Sequence, residues 1–146
     1  MSDHLGIVEL SGVCAAMRGR SLELFELLGA SVSSTSPGEL QRLFAEACHR
    51  HAWHAELWEA RAPAIPAAAT SSGEGERLGR DPQPMSDGDE ARRDRYRGEL
   101  SAMEEALRAL RARTEPALDP NTARTIDLVG RDVVEIAARL DALRSR

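Results

Sequence analysis

The feature that most narrows the choice of fold is a set of four apolar stripes with helical spacing. In the last of them Ile126, Val129, Val133, Ile136, Leu140 and Leu143 recur every three or four residues. That interval gathers side chains on one face of an α-helix and scatters them over both faces of a strand. The third stripe carries Tyr96, Leu100, Met103, Leu107 and Leu110. The second carries Leu40, Leu43, Phe44, Ala47, His51, His54 and Trp58, and the first Leu10, Val13, Cys14, Met17, Leu24 and Leu28. Each stripe must be covered by another element, so the pattern predicts an all-α domain in which four helices share a core.

Start and stop residues bound the four segments. The first spans about 3–28, with Gly29 as its stop. The second spans about 37–62. Ser36 can cap it, Pro37 suits its first turn, Glu39 would complete a capping box, and Pro63 disfavours helix just before it. The third spans about 88–114, with Ser86 or Asp87 as cap and Pro116 beyond its end. The fourth spans about 120–144, with Asp119 as cap and Pro120 in its first turn.

Each segment is about 25 residues long, roughly 38 Å as helix. Short connections make segments one and two an antiparallel hairpin, and likewise three and four. Between the hairpins, residues of about 63–86 are rich in Pro, Gly, Ser and Ala and lack a periodic apolar face. They read as an irregular linker long enough to run the length of a bundle. Two hairpins joined by one long crossover is the ferritin-like arrangement of a four-helix bundle. The rival is a pair of hairpins that mediates a dimer through a flexible linker. At 146 residues the chain amounts to a single domain, 1–146, with enough length to bury a core.

Composition removes several functions. The chain has no lysine, all 19 of its cationic side chains being Arg. A Schiff-base lysine and a phosphate-loop lysine are therefore excluded. A net charge of −5 gives no push toward nucleic acid. The cluster Arg92, Arg93, Arg95 and Arg97 is interleaved with Asp89, Glu90, Asp94 and Glu99 and reads as a solvated helix face. No segment reads as a membrane span or a secretory leader. Cys14 and Cys48 lie inside helical patterns and read as reduced thiols of a cytoplasmic protein. No Gly-x-Ser-x-Gly elbow is present, which argues against a nucleophilic hydrolase.

The stretch "EACHRHAWHAELW", Glu46 to Trp58, concentrates three of the four histidines. Glu46 and His49 match Glu-x-x-His, a spacing used at ferritin-like di-metal sites. At ~100° per residue, however, both point away from the apolar stripe. His51 and His54 point inward, with Cys48 one step back along the same row. Folding the second helix on the first about Ser33 sets Cys14 level with Ala52. Cys14, Cys48, His51 and His54 would then converge as a Cys₂His₂ set that zinc accepts. The alternative is a pair of core histidines hydrogen-bonded to carboxylates of neighbouring helices, with both cysteines acting as small buried hydrophobes. The candidate carboxylates at that level are Glu99, Glu104, Asp127, Asp132 and Glu135, and Asp132 lies nearest the core edge.

The segments "HAWHAELWEARAP" (51–63) and "LFELLGA" (24–30) resemble helices of actinobacterial ferritin-like proteins of unassigned function. The rest of the chain is similar to that group in helix order and length. The resemblance implies a four-helix bundle, often with a metal pair held by carboxylates and histidines. This chain departs from the pattern. Ser21 stands at the first-helix core position where a Glu is expected, and the fourth helix offers Asp132-Val-Val-Glu135 in place of Glu-x-x-His. The departures favour a non-catalytic structural or interaction domain with a degenerate metal site. The alternative is an iron- or zinc-binding oxidase, hydroxylase or metal-handling protein. The expected partners are a second copy of the chain or another protein.

Overall fold

A computed structural model describes residues 4–64, 84–85 and 88–144. It holds four α-helices and, among the described residues, no strand: α1 (Ile7–Val32), α2 (Glu39–Arg61), α3 (Asp89–Ala112) and α4 (Pro120–Arg144). The stripes are the core. Every stripe residue of α3 is buried, as are Ile126, Val129, Val133, Ile136 and Leu140 of α4. Val13, Leu40 and Leu143 are half-buried at its margin. Trp58, Tyr96 and Phe44 are its largest fully buried side chains.

Three boundaries differ from the sequence reading, the first being the start of α1 at Ile7 rather than at about residue 3. Gly29 does not end α1, which continues for three more residues. Side chains beyond it satisfy the final turn: the Thr35 hydroxyl donates to the Ser31 carbonyl at 2.8 Å, and the Gln41 amide donates to the Val32 carbonyl at 2.9 Å. With its last carbonyls met in this way, the helix does not need a glycine cap. Gly29 instead sits where the helices come close, since a Cβ there would lie 3.5 Å from Cys48 Sγ. At α2 the capping box does not form. The N-cap is Gly38, without a side-chain bond, at φ 155° and ψ −159°, a backbone region essentially reserved for glycine. Ser36 turns elsewhere, its N–H donating to Asp89 Oδ1 at 3.2 Å and tying the first turn to the start of α3. Ser86 and Asp87, the expected caps of α3, lie outside the described residues, as does most of the linker.

Asp119 caps α4 as expected. Its Oδ1 accepts from the Thr122 N–H at 3.0 Å, and its Oδ2 accepts from Arg61 Nη2 at 2.8 Å. Opposed pairs set the helix directions. Gly29 faces Cys48 and Arg18 pairs with Glu59 between α1 and α2. Arg97 pairs with Asp141 and Arg111 with Asp127 between α3 and α4. Numbers rise along one helix as they fall along its neighbour. Arg139 with Glu46 and Arg50 with Asp132 fix α4 beside α2. The end of α2 lies against Asp119, while α3 begins beside the α1–α2 turn. Those two points are separated by the length of α2, roughly 35 Å for its 23 residues.

Candidate functional site

The site is built on the inward face of α2. Residues 44, 47, 51, 54 and 58 fall on one side of a helix, and this chain puts Phe44, Ala47, His51, His54 and Trp58 there, all fully buried. Two imidazoles without exposed surface need polar partners. The neighbouring helices supply them. His51 Nε2 lies 2.6 Å from the Tyr96 hydroxyl of α3, and His54 Nε2 lies 2.9 Å from Asp132 Oδ2 of α4.

Asp132 is the link to solvent. Its side chain is 19 % exposed, and its other oxygen accepts from Arg50 Nη1 at 3.3 Å. Arg50 also donates to Glu135 at 3.1 Å, on a carboxylate half in water. The chain of contacts therefore runs from an exposed Glu135 through Arg50 and Asp132 to a buried His54. The two imidazole rings stand edge to face, with centroids 5.4 Å apart. His51 and Tyr96 make a similar crossing at 5.8 Å, as do Tyr96 and Phe44.

Electrostatics keep this cluster neutral at its centre. Burial, reinforced by the neighbouring His54, pushes the His51 imidazole down to about 3. Burial also lowers His54, against the upward pull of the hydrogen bond and negative charge of Asp132. Burial raises the Tyr96 phenol, which stays protonated. With Asp132 Oδ2 as the acceptor, the His54 proton sits on Nε2 and Nδ1 keeps a lone pair. His51 and Tyr96 share a single bond: with Tyr96 donating, the Nδ1–H of His51 is left over, and with His51 donating, both its Nδ1 lone pair and the Tyr96 O–H are. Among the described residues the unpartnered buried atoms are Nδ1 of His51, Nδ1 of His54 and Nε1 of Trp58.

The other predicted site residues are dispersed. Cys48 lies on the α1 side of α2, where its thiol donates to the Phe25 carbonyl at 3.2 Å. Cys14 feels the charges of Arg61 and Asp119, near the far end of α2. The predicted meeting of the cysteines therefore fails. The midpoint between Gly29 and Cys48, and that between Arg18 and Glu59, falls between residues 38 and 39 rather than at Ser33. An error of about five residues at the turn becomes about eleven residues of register, roughly 16 Å along the axis. Burial raises both thiols. Among the described residues, no three His, Cys, Asp or Glu side chains form a group able to hold a metal ion.

Glu104 is taken up by Arg97 at 3.6 Å, and Glu99 is half-buried. Ser21 is fully buried, and its hydroxyl donates to the Met17 carbonyl of its own helix at 2.9 Å. Glu46 and His49 point outward as expected, Glu46 to Arg139 at 2.7 Å.

Sequence reasoning misses two members of the cluster. Its spacing places Tyr96 in the core as an apolar residue. Yet Tyr96 is the only tyrosine in the chain, and a buried phenol needs a hydrogen-bond partner. Arg50, the link from Asp132 to Glu135, has no local signal. Comparison with family models, curated proteins and solved structures finds no match for this chain.

Proposed function

We propose that this chain is a ferritin-like four-helix bundle, two antiparallel hairpins joined by a crossover, that works without catalysis as a structural or protein-interaction domain. One observation carries the reading: the inward polar side chains are bonded to partners within the chain. His51 is engaged by Tyr96, His54 by Asp132, and Asp132 by Arg50. A di-metal site needs carboxylates and imidazoles turned toward a shared centre. Here Ser21 occupies the first-helix position, and Glu135 points to Arg50. The buried free thiols suit a reducing, cytoplasmic setting.

The test is elemental analysis of untagged protein from its own host, with unfolding measured with and without chelator. Less than about a tenth of an equivalent of metal and an unchanged midpoint support the reading. A stoichiometric metal whose removal lowers the midpoint overturns it.

One observation favours a second reading, an iron or zinc site. The Nδ1 atoms of His51 and His54 are buried without partners, and imidazole nitrogens are common ligands for both metals. One equivalent of metal, lost in His51→Ala and retained in Cys14→Ser, would establish it.

A further inference from the structure

On α4, Arg124, Asp127, Arg131, Val134 and Ala138 alternate at intervals of three and four and are all exposed. They form a continuous seam on the side turned away from the core. Two features of this seam are unaccounted for within the chain. Val134 is 58 % exposed in the middle of a helix whose other β-branched aliphatic residues are buried. Arg131 has no ion-pair or hydrogen-bond partner among the described residues, and neither has Arg124 of the same seam, whereas Arg111 of α3 beside them pairs with Asp127.

We propose that this seam of α4 is a homodimer interface, packed antiparallel on the same seam of a second copy about a two-fold axis near residue 129. The inference rests on the reading of the protein as one that acts through its surface. A two-fold contact brings each residue opposite one whose number reflects it through the axis. Reflection about 129 sends Asp127 to Arg131, Arg131 to Asp127, and Arg124 to Val134. Each of these pairs consists of two seam positions, so the faces meet without rotation of either helix. The unpaired Arg131 then gains a carboxylate twice over. Asp127 can provide it, since its side chain is 62 % exposed and only loosely held by Arg111 at 3.5 Å. Val134 is covered by the aliphatic stem of Arg124. Gly130 lies beside the axis, where a Cβ would meet nothing within its own chain.

The net charge of −5 on each copy opposes association at long range. Salt screens that repulsion beyond about 10 Å at 0.1 M, whereas the Asp127–Arg131 contacts act at close quarters. Other registers of the same seam leave Arg131 without a carboxylate, and reflection between residues 127 and 128 sets it against Arg124. Reflection between residues 132 and 133 sets it against Val134.

The experiment is sedimentation equilibrium on the full chain and on charge-swapped variants, each checked by circular dichroism for retained helix. Wild type is expected at twice the chain mass. Arg131→Asp raises the dimer dissociation constant about tenfold or more, because it sets two carboxylates against each other. Adding Asp127→Arg to the same chain restores the dimer. A wild-type monomer, a dimer indifferent to Arg131→Asp, or a failure of the double variant to recover overturns the proposal. These results are independent of metal content, so failure here leaves the non-catalytic reading standing, and its failure leaves the interface testable.

Discussion

His54 Nε2 lies 2.9 Å from Asp132 Oδ2, and this contact joins an imidazole with no exposed surface to a carboxylate that reaches water. The bond gives α2 and α4 a fixed relative height in the core. Removing its acceptor strands a buried N–H, which costs about 1–3 kcal/mol. Asp132→Ala should therefore lower the unfolding free energy by that amount in urea titration. Glu135→Ala breaks only an exposed contact of the same arginine and should cost far less. Equal losses in the two variants would show that the buried end of the chain of contacts contributes nothing special.

Acid should weaken the fold earlier than its carboxylates alone would. The folded value of His51, about 3, lies below an unfolded value of about 6.5. Protons then bind the unfolded chain more readily. The contribution of neutral His51 is complete above about pH 6.5 and falls as pH drops toward 3. His54 is lowered as well, so its contribution adds. Every tenfold weakening of proton binding in the folded chain corresponds to about 1.4 kcal/mol. The lowered carboxyls of Glu46 and Asp119 act in the same sense but only further into acid. The urea midpoint should thus drop between about pH 7 and about pH 5, before carboxylates titrate. His51→Leu combined with Tyr96→Phe should flatten the drop. A midpoint constant across that window in the parent protein would contradict buried, neutral histidines.

The core is legible in the sequence because burial on a helix repeats there. The stripes of α3 and α4, and the inward turn of His51 and His54, follow from a rotation of ~100° per residue. That same phase separates Glu46 and His49 from the core despite their motif-like spacing. Relative height is not legible. It depends on where the chain turns, and the turn is set by Thr35 and Gln41 reaching back to the end of α1. Those contacts lie beyond Gly29, where the apolar pattern suggests a stop. Asp132 stands out as the carboxylate nearest the core edge, since that judgement needs only phase. Tyr96 as the partner of His51 requires knowing which turn of α3 faces which turn of α2.

Gly29 offers a direct test of that boundary. It lies inside α1, where glycine is less favourable than alanine by roughly 0.5–1 kcal/mol. A Cβ at this position would stand 3.5 Å from Cys48 Sγ, an ordinary contact distance. Gly29→Ala should therefore stabilise the protein by several tenths of a kcal/mol or more, with a higher thermal midpoint. A helix ending at Gly29 would need a left-handed residue just past its last turn, and alanine would then be destabilising.

Zinc titration discriminates between the two registers of α1 on α2. In the structure Cys14 is level with the end of α2, near Arg61, while Cys48 is level with Gly29. About fifteen residues of helix separate those levels on α1, roughly 22 Å. No single ion spans that distance with Zn–S bonds of about 2.3 Å. Cys14→Ser should leave any zinc affinity unchanged, even if His51→Ala reduces it. Both buried thiols should also react slowly with a thiol reagent in the folded protein and quickly in denaturant. Zinc binding that needs both cysteines, and that protects both from the reagent, would require α1 to slide by about three turns and would place the four-residue cluster back at the centre of the site.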